Sequence, residues 1–350
     1  MSAQEDPVAP LLYTPQIVRD TCSSFHSKMA WIDHQKIDEF IGTMDLNELF
    51  DFVYSNSGLS TNSFTSDIPF PSLYDEAGFL FLAHAIDFGS GFRPFLHKYR
   101  NGQGAWLTIR EGLIQLGNRN PTCDSQWLQQ LTFEDILVMF DLSYPELMPL
   151  AHYLLNDLHE IGLQLLQNGY TTPGEFIRSN LHLNAIGLVN LFVSLFPLTF
   201  RDEYFLHNQR ISFYKKAQLV VSEIYLRFST SSSSPPEISE KFLFPDINEL
   251  TGFVDNVVVA MLRRYEMIQC AEELSTKISQ EKEIEKGSEE EIALRSCGVH
   301  AIEVLVSSLN ERHERKVNSQ LVCNWLWGGL GKKGENRKYP RHLTPSTSYY

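Results

Sequence analysis

Four things are scarce in these 350 residues, and each scarcity excludes a class of protein. Cationic side chains are outnumbered, 29 Lys and Arg against 43 Asp and Glu, for a formal net charge of -14. A surface of that sign does not track a nucleic-acid backbone, because neutralising several phosphates needs clustered positive charge, whereas a mononucleotide needs only one or two cations. Cysteine is limited to Cys22, Cys123, Cys270, Cys297 and Cys323. The number is odd and no CxxC spacing occurs, so neither a disulfide framework nor a zinc knuckle is expected, and the thiols should be reduced and packed. No uninterrupted apolar run reaches membrane length, and no apolar stretch follows a basic start, so the expectation is a cytoplasmic or nuclear protein with no membrane partner. Period-2 alternation is scarce as well, which leaves little room for sheet.

What is abundant is apolar residues at helical spacing. The 43% hydrophobic and 12% aromatic content is enough for a sizeable core. Residues 15–56 predict two helices, with Ile37, Phe40, Ile41 and Met44, then Leu49, Phe50 and Val53, on the buried faces. A Gly/Ser/Thr/Pro-rich loop follows at 57–70. Further helices are predicted at 72–97, 104–117, 146–168, 183–196, 211–228, 246–265, 287–310 and 317–328. Asn168-Gly169 suits a left-handed cap, and Thr172-Pro173-Gly174-Glu175 reads as a fresh helix start. Residues 229–239 are a low-complexity insert expected to be disordered. The charge run at 280–291 reads as a solvated loop leading to a helix capped by Ser288. The fold class is therefore all-α: N-terminal helices and a polar loop over 1–70, then one large helical domain, divisible into subdomains, over 71–350.

The most informative words lie between 200 and 255. Phe200-Arg201-Asp202 precedes the helix start Phe213-Tyr214-Lys215-Lys216-Ala217-Gln218, and Leu250-Thr251-Gly252-Phe253-Val254-Asp255 follows the insert. Weaker carriers are Glu291-Ile292-Ala293-Leu294-Arg295, Ala301-Ile302-Glu303, Asn324-Trp325-Leu326-Trp327 and a tail that holds His342 and Tyr349-Tyr350. In order and wording the chain from about residue 75 onward resembles the queuosine salvage proteins, nucleotide N-glycosidases that release the base queuine from queuosine 5'-phosphate. The resemblance implies helices arranged as in helical DNA glycosylases. It also implies a reaction: hydrolysis of the N-glycosidic bond with water, queuine passing into tRNA salvage, with no cofactor, no metal and no direct tRNA binding. Two departures stand out. The family's Phe-Ala-Asp usually continues Tyr-Arg-x-Pro-Gln, whereas here Asp255 is followed by Asn256-Val257-Val258-Val259-Ala260. Where relatives often carry Asn-Phe-x-Phe-Trp, this chain has Asp87-Phe88-Gly89-Ser90-Gly91-Phe92-Arg93.

Cleaving a ribose C–N bond passes through an oxocarbenium-like state, which a carboxylate beneath the anomeric carbon stabilises. Asp255 is the candidate, placed before an apolar helix whose burial would raise its pKa; the plain alternative is an ordinary helix cap. Lys215 is the second catalytic candidate, to hold Asp255 ionised or to protonate the leaving base, and Lys216 its substrate-binding neighbour; a solvated helix face is the alternative. A 7-deazaguanine leaving group has no N7, so a donor must reach O6 or N3 instead. Phe88 and Phe92 offer rings for stacking, and Asp87 offers an acceptor for guanine-like N–H groups, unless 87–91 merely breaks a helix. Gly89-Ser90-Gly91 lacks the strand and third glycine of a dinucleotide fingerprint. Arg93 is the candidate substitute for the arginine lost after Asp255. Asp202 either joins the pocket or pairs with Arg201 at the surface. His342 enters through the tail, which the family places near the active centre; His84 and His97 have no metal spacing and read as structural groups. Cys323, Trp325 and Trp327 read as core.

Three functions compete on this reading: the nucleotide N-glycosidase, a catalytically weakened relative serving as a nucleotide-binding or protein-interaction module, and a tRNA binder. Only Lys332, Lys333, Arg337, Lys338 and Arg341 form a basic cluster that would suit the last. Arg341 is expected to lie outside the nucleotide site.

Overall fold

Polar caps set the helix starts. Thr14, Asp33, Ser72, Asp124, Thr132, Thr172, Asn184, Asp255, Ser288 and Asn318 each accept a backbone N–H from the first turn that follows. Residues 12–54, 65–229 and 239–350 are described by a computed structural model. Positions 57–64 of the predicted loop and 230–238 of the predicted insert lie outside the described residues. The chain runs α1 (Pro15–Ser24), β1 (Ala30–Ile32), α2 (His34–Thr43), α3 (Leu46–Tyr54), α4 (Leu73–Ala85), α5 (Arg93–Tyr99), α6 (Ala105–Arg119), α7 (Ser125–Gln130), α8 (Phe133–Phe140), α9 (Met148–Gln167), α10 (Pro173–Asn180), α11 (Ala185–Leu195) and α12 (Pro197–Phe200). A hairpin of β2 (Glu203–Leu206) and β3 (Gln209–Ser212) leads into α13 (Lys215–Ser229). Then come α14 (Asn256–Arg264), β4 (Ile268–Cys270), α15 (Glu272–Ser279), α16 (Glu289–Arg312) and α17 (Ser319–Asn324), which a π-helical turn, Trp325–Leu330, extends.

The class is all-α, as expected, with two small antiparallel ribbons that the sequence analysis did not foresee. One pairs β1 with β4 through Ala30↔Cys270, Trp31↔Gln269 and Ile32↔Ile268. The other is the β2–β3 hairpin. Its turn residues His207 and Asn208 have φ of 50 and 60, the left-handed pair that a two-residue hairpin favours. Three helices occupy the interior. Residues 76–85 of α4, 215–224 of α13 and 291–299 of α16 are buried on every face, the mark of a core helix. By length and composition α16 is apolar enough to cross a membrane, yet 67% of its apolar window is buried inside the protein. Arg295, His300 and Glu303 interrupt its apolar run. All five cysteines are free.

Several boundaries differ from expectation. The described part of that segment, residues 15–54, holds three helices and a strand. The helix predicted over 72–97 breaks after Ala85, because Gly89 takes φ 101 and its N–H bonds to the carbonyl of Tyr350 at 3.3 Å. A Cβ there would lie 2.9 Å from Leu150 Cδ1. The helix predicted from 211 starts at Lys215, since β3 uses 209–212, and that predicted over 246–265 starts only at Asn256, after a stretch without regular structure. Helices α7, α8 and α15 were not anticipated; at six to eight residues each they are too short to display periodicity.

Candidate active site

The C-terminal end of α4, the 87–93 break, the first turns of α13 and α14, and the 323–350 tail meet around a cavity of about 300 Å³. Lys215, Leu219 and Glu223 line it from α13 at steps of four, which is one helix face. Asp255 and Val257 line it from α14, Phe253 from the segment before, and Asp87, Phe88 and Arg93 from the break.

Asp255 is both the helix cap and a cavity residue. Its Oδ1 accepts from the N–H groups of Val257 and Val258, each at 2.9 Å, while Oδ2 has no hydrogen-bond partner among the described residues. Burial pushes its carboxyl above the usual carboxylate range, and Lys215 and the Val258 N–H pull against that shift. Lys215 is buried and donates from Nζ to the backbone carbonyl of Asp87 at 3.3 Å. Its direction is set one residue earlier: Tyr214 holds φ 51, a costly value for a bulky side chain. The Tyr214 hydroxyl donates to Glu203 and its ring meets Tyr13 edge-on at 5.4 Å, so two contacts hold that bend.

The opposite wall is aromatic and polar. His84 stacks on Trp106, with ring centroids 5.9 Å apart and planes 11° from parallel. Its Nδ1 lies 4.0 Å from Asp87 and its Nε2 3.9 Å from Glu223, beyond hydrogen-bond reach, and both nitrogens are buried without a partner. Burial, then the charge of Lys215, pushes its pKa down to about 3, so it is a neutral imidazole. Ser90 adds a buried hydroxyl with no partner. Such unsatisfied groups at a cavity wall are what a polar ligand satisfies.

The mouth is basic. Arg93, Lys332, Arg337 and Arg341 line it together with His97. Lys332 stands 3.4 Å from the centre of the Trp327 ring, and burial pushes its pKa down to about 8 against the pull of Asp87 and Asp255. Trp327 and Cys323 also face the cavity, while Trp325 is core as expected.

Of the residues singled out from sequence, Asp87, Phe88, Arg93, Lys215 and Asp255 are brought together here, and Phe92, Lys216, Asp202 and His342 are not among those lining the cavity. Lys216 points into the core, where its Nζ pairs with Asp157 at 2.8 Å and lies 4.7 Å from the centre of the Phe88 ring. Asp202 is neither surface-exposed nor paired with Arg201; it accepts from Arg295 in the core. His342 is buried against Tyr350 with both ring nitrogens unpartnered. Phe92 is buried behind the break. Missed from sequence were His84, Trp106, Glu223 and Lys332, Arg337 and Arg341. The helical spacing 215, 219, 223 would have found Glu223. Nothing local announces the tail residues.

A helical enzyme with one carboxylate half held by a helix start, a lysine beside it and a basic mouth is the class that fold and cavity define. The comparisons give it a family. The profile described as Queuosine salvage protein matches residues 107–350, and the chain belongs to that family. A protein of Sphaerobacter thermophilus named queuosine 5'-phosphate N-glycosylase/hydrolase is 27% identical over 246 residues, covering 70% of this chain and 72% of that one. Proteins of the same name from Dictyostelium discoideum and Mus musculus are each 26% identical, over 242 and 286 residues. They cover 69% and 79% of this chain and 70% and 80% of their own.

Proposed function

We propose that this N-glycosyl hydrolase of the queuosine salvage family cleaves queuosine 5'-phosphate with water, releasing queuine and ribose 5-phosphate. The observation that carries the reading is Asp255: one oxygen is tied to the start of α14 and the other has no hydrogen-bond partner among the described residues, at a cavity that Lys215 also lines. Tethering through Oδ1 holds the carboxylate still, so Oδ2 meets the developing positive charge of the ribose, or the attacking water, without reorganisation. Lys215 opposes the upward shift that burial imposes on that carboxyl and supplies an ammonium in the same cavity for O6 or N3 of the departing base. Asp87, His84 and Trp106 form the base end, with an acceptor for N–H groups and flat rings for stacking. The apolar Val257, standing where the family usually carries arginine, shields the reacting bond from bulk water and supplies no charge.

The test is direct. Purified protein is incubated with queuosine 5'-phosphate, and free queuine and ribose 5-phosphate are sought by mass spectrometry. Equimolar appearance of both is expected, with the unphosphorylated nucleoside a poorer substrate. Intact substrate after exhaustive incubation with folded protein would reject the reading.

A further inference from the structure

The surplus of positive charge in the cavity is gathered at one end. Arg93 comes from the first turn of α5, Arg337 from a 3-10 turn, Gly334–Lys338, and Arg341 from the extended tail beyond it. Arg93 Nη2 donates to the backbone carbonyl of Arg337 at 3.2 Å, which fastens the tail across the mouth. The tail sorts its cations by side. Lys333 and Lys338 turn away onto Glu48 at 2.6 Å and Glu335 at 2.7 Å. Arg93, Arg337, Arg341 and Lys332, which face the cavity, have no ion-pair partner among the described residues. Arg341 Nε is buried without a hydrogen-bond acceptor.

None of these cations forms a close ion pair among the described residues, and like charges gathered so repel one another. Burial and then Arg93 push Arg341 down to about 10, while burial followed by Arg93, Arg337 and Arg341 pushes His97 down to about 4. Such an arrangement is stable work for an anion: planar forks match the oxygens of a phosphomonoester and are strongest when both partners are charged. The carboxylates Asp87, Glu223 and Asp255 line the same cavity and would repel a dianion from their own end. The ligand is therefore polarised, with its phosphate at the arginines and its base at the His84–Trp106 wall.

We propose that Arg93, Arg337 and Arg341 form the subsite for a sugar phosphomonoester, and that Lys215 and Lys216 do not serve it. Lys215 donates to the backbone carbonyl of Asp87, and Lys216 pairs with Asp157 in the core. Only the identity of the sugar, ribose, rests on the proposed function; the phosphate subsite follows from the unpaired guanidinium groups. A consequence is that ribose 5-phosphate stays bound after the base departs and inhibits competitively.

Calorimetric titration of ribose 5-phosphate, ribose and inorganic phosphate tests this on the wild type, the double variant Arg93→Gln/Arg341→Gln, and Lys338→Ala as a control in the same tail. The wild type should bind ribose 5-phosphate at least about tenfold more tightly than ribose, which offers no charged acceptor, and more tightly than inorganic phosphate, which lacks the sugar. The double variant should lose that discrimination with little change in Tm, and Lys338→Ala should keep it. Undiminished ribose 5-phosphate affinity in the double variant would overturn the assignment. So would inorganic phosphate binding as tightly as the sugar phosphate, which would mark a free-phosphate site. If titrations behave as expected while queuosine 5'-phosphate is not cleaved, the subsite stands and the proposed reaction falls.

Discussion

Asp202 accepts from both terminal nitrogens of Arg295, at 2.8 and 2.6 Å, where neither side chain reaches solvent. The guanidinium is flanked by the Phe213 ring, 4.0 Å to its centre, and the Tyr350 ring, 4.7 Å. Phe213 leads through the Tyr214 bend to Lys215, and Tyr350 lines the cavity and holds Gly89 through its carbonyl. This core ion pair thereby fixes two sides of the site without lining the cavity.

Glu291 also lies 3.7 Å from Arg295, with neither side chain exposed, so removing Asp202 leaves the guanidinium with that one longer contact. Asp202→Ala should lower unfolding free energy by about 3–5 kcal/mol, and the triple replacement Asp202→Leu/Glu291→Gln/Arg295→Met, which removes every charge of the cluster, should recover much of it. Urea unfolding checks both. A wild-type midpoint in the single variant would contradict a buried, charged pair.

Lys215 and Lys216 should part company in the same way. Lys216→Met leaves Asp157 buried and unpaired, and should cost about 3–5 kcal/mol of stability. Lys215→Met should leave the fold intact and lower turnover. Because Lys215 opposes the burial shift at Asp255, its removal should raise the Asp255 pKa further, moving the acid limb of kcat/KM to higher pH. Comparing Tm values with pH–rate profiles separates the two roles; an unmoved acid limb would remove Lys215 from the neighbourhood of the base.

His342 makes a prediction about acid lability. Burial, then Arg263 and Arg295, push its pKa down to about 3, so the folded protein keeps it neutral while the unfolded chain takes up a proton below about 6.5. The stability this neutrality supports is complete above that value and is lost as pH falls toward 3. At pH 5.5 the loss is about 1.4 kcal/mol for this one group. His342→Gln should abolish that increment, so the stability difference between wild type and variant should shift by about this amount between pH 7.5 and 5.5. A difference independent of pH would mean that His342 titrates in the fold as it does in the unfolded chain, and a shift of opposite sign that the fold holds it protonated.

What was legible in sequence follows the range of the interaction. Caps and helix faces are local, so Thr172, Ser288 and the aspartate before Asn256 could be read directly. Lys215 and Lys216 could not be told apart, because neighbours on a helix point about 100° apart and only the surroundings decide which faces a cavity. Gly89 was visible as a breaker, but whether the break merely ends α4 or presents Asp87 depended on Tyr350, more than 250 residues away. Arg341 was placed outside the site because a basic tail looks solvated until it folds across the mouth. The β2–β3 hairpin hid in four-residue strands that helical periodicity ran straight through.

Asp255 offers the sharpest test, because its two duties can be separated. Asn caps helices as well as Asp does, so Asp255→Asn should retain the bonds to Val257 and Val258 and unfold with a near wild-type Tm. The same change removes the negative charge that the proposed reaction requires of Oδ2, and loss of a transition-state electrostatic group costs roughly 100-fold or more in kcat. Asp255→Ala should lose the cap too, adding about 1 kcal/mol of destabilisation to the same kinetic loss. Turnover and thermal unfolding measured side by side on both variants decide the matter. Near wild-type kcat in Asp255→Asn would reduce the residue to a helix cap that happens to border the cavity, since nothing but the charge would have changed.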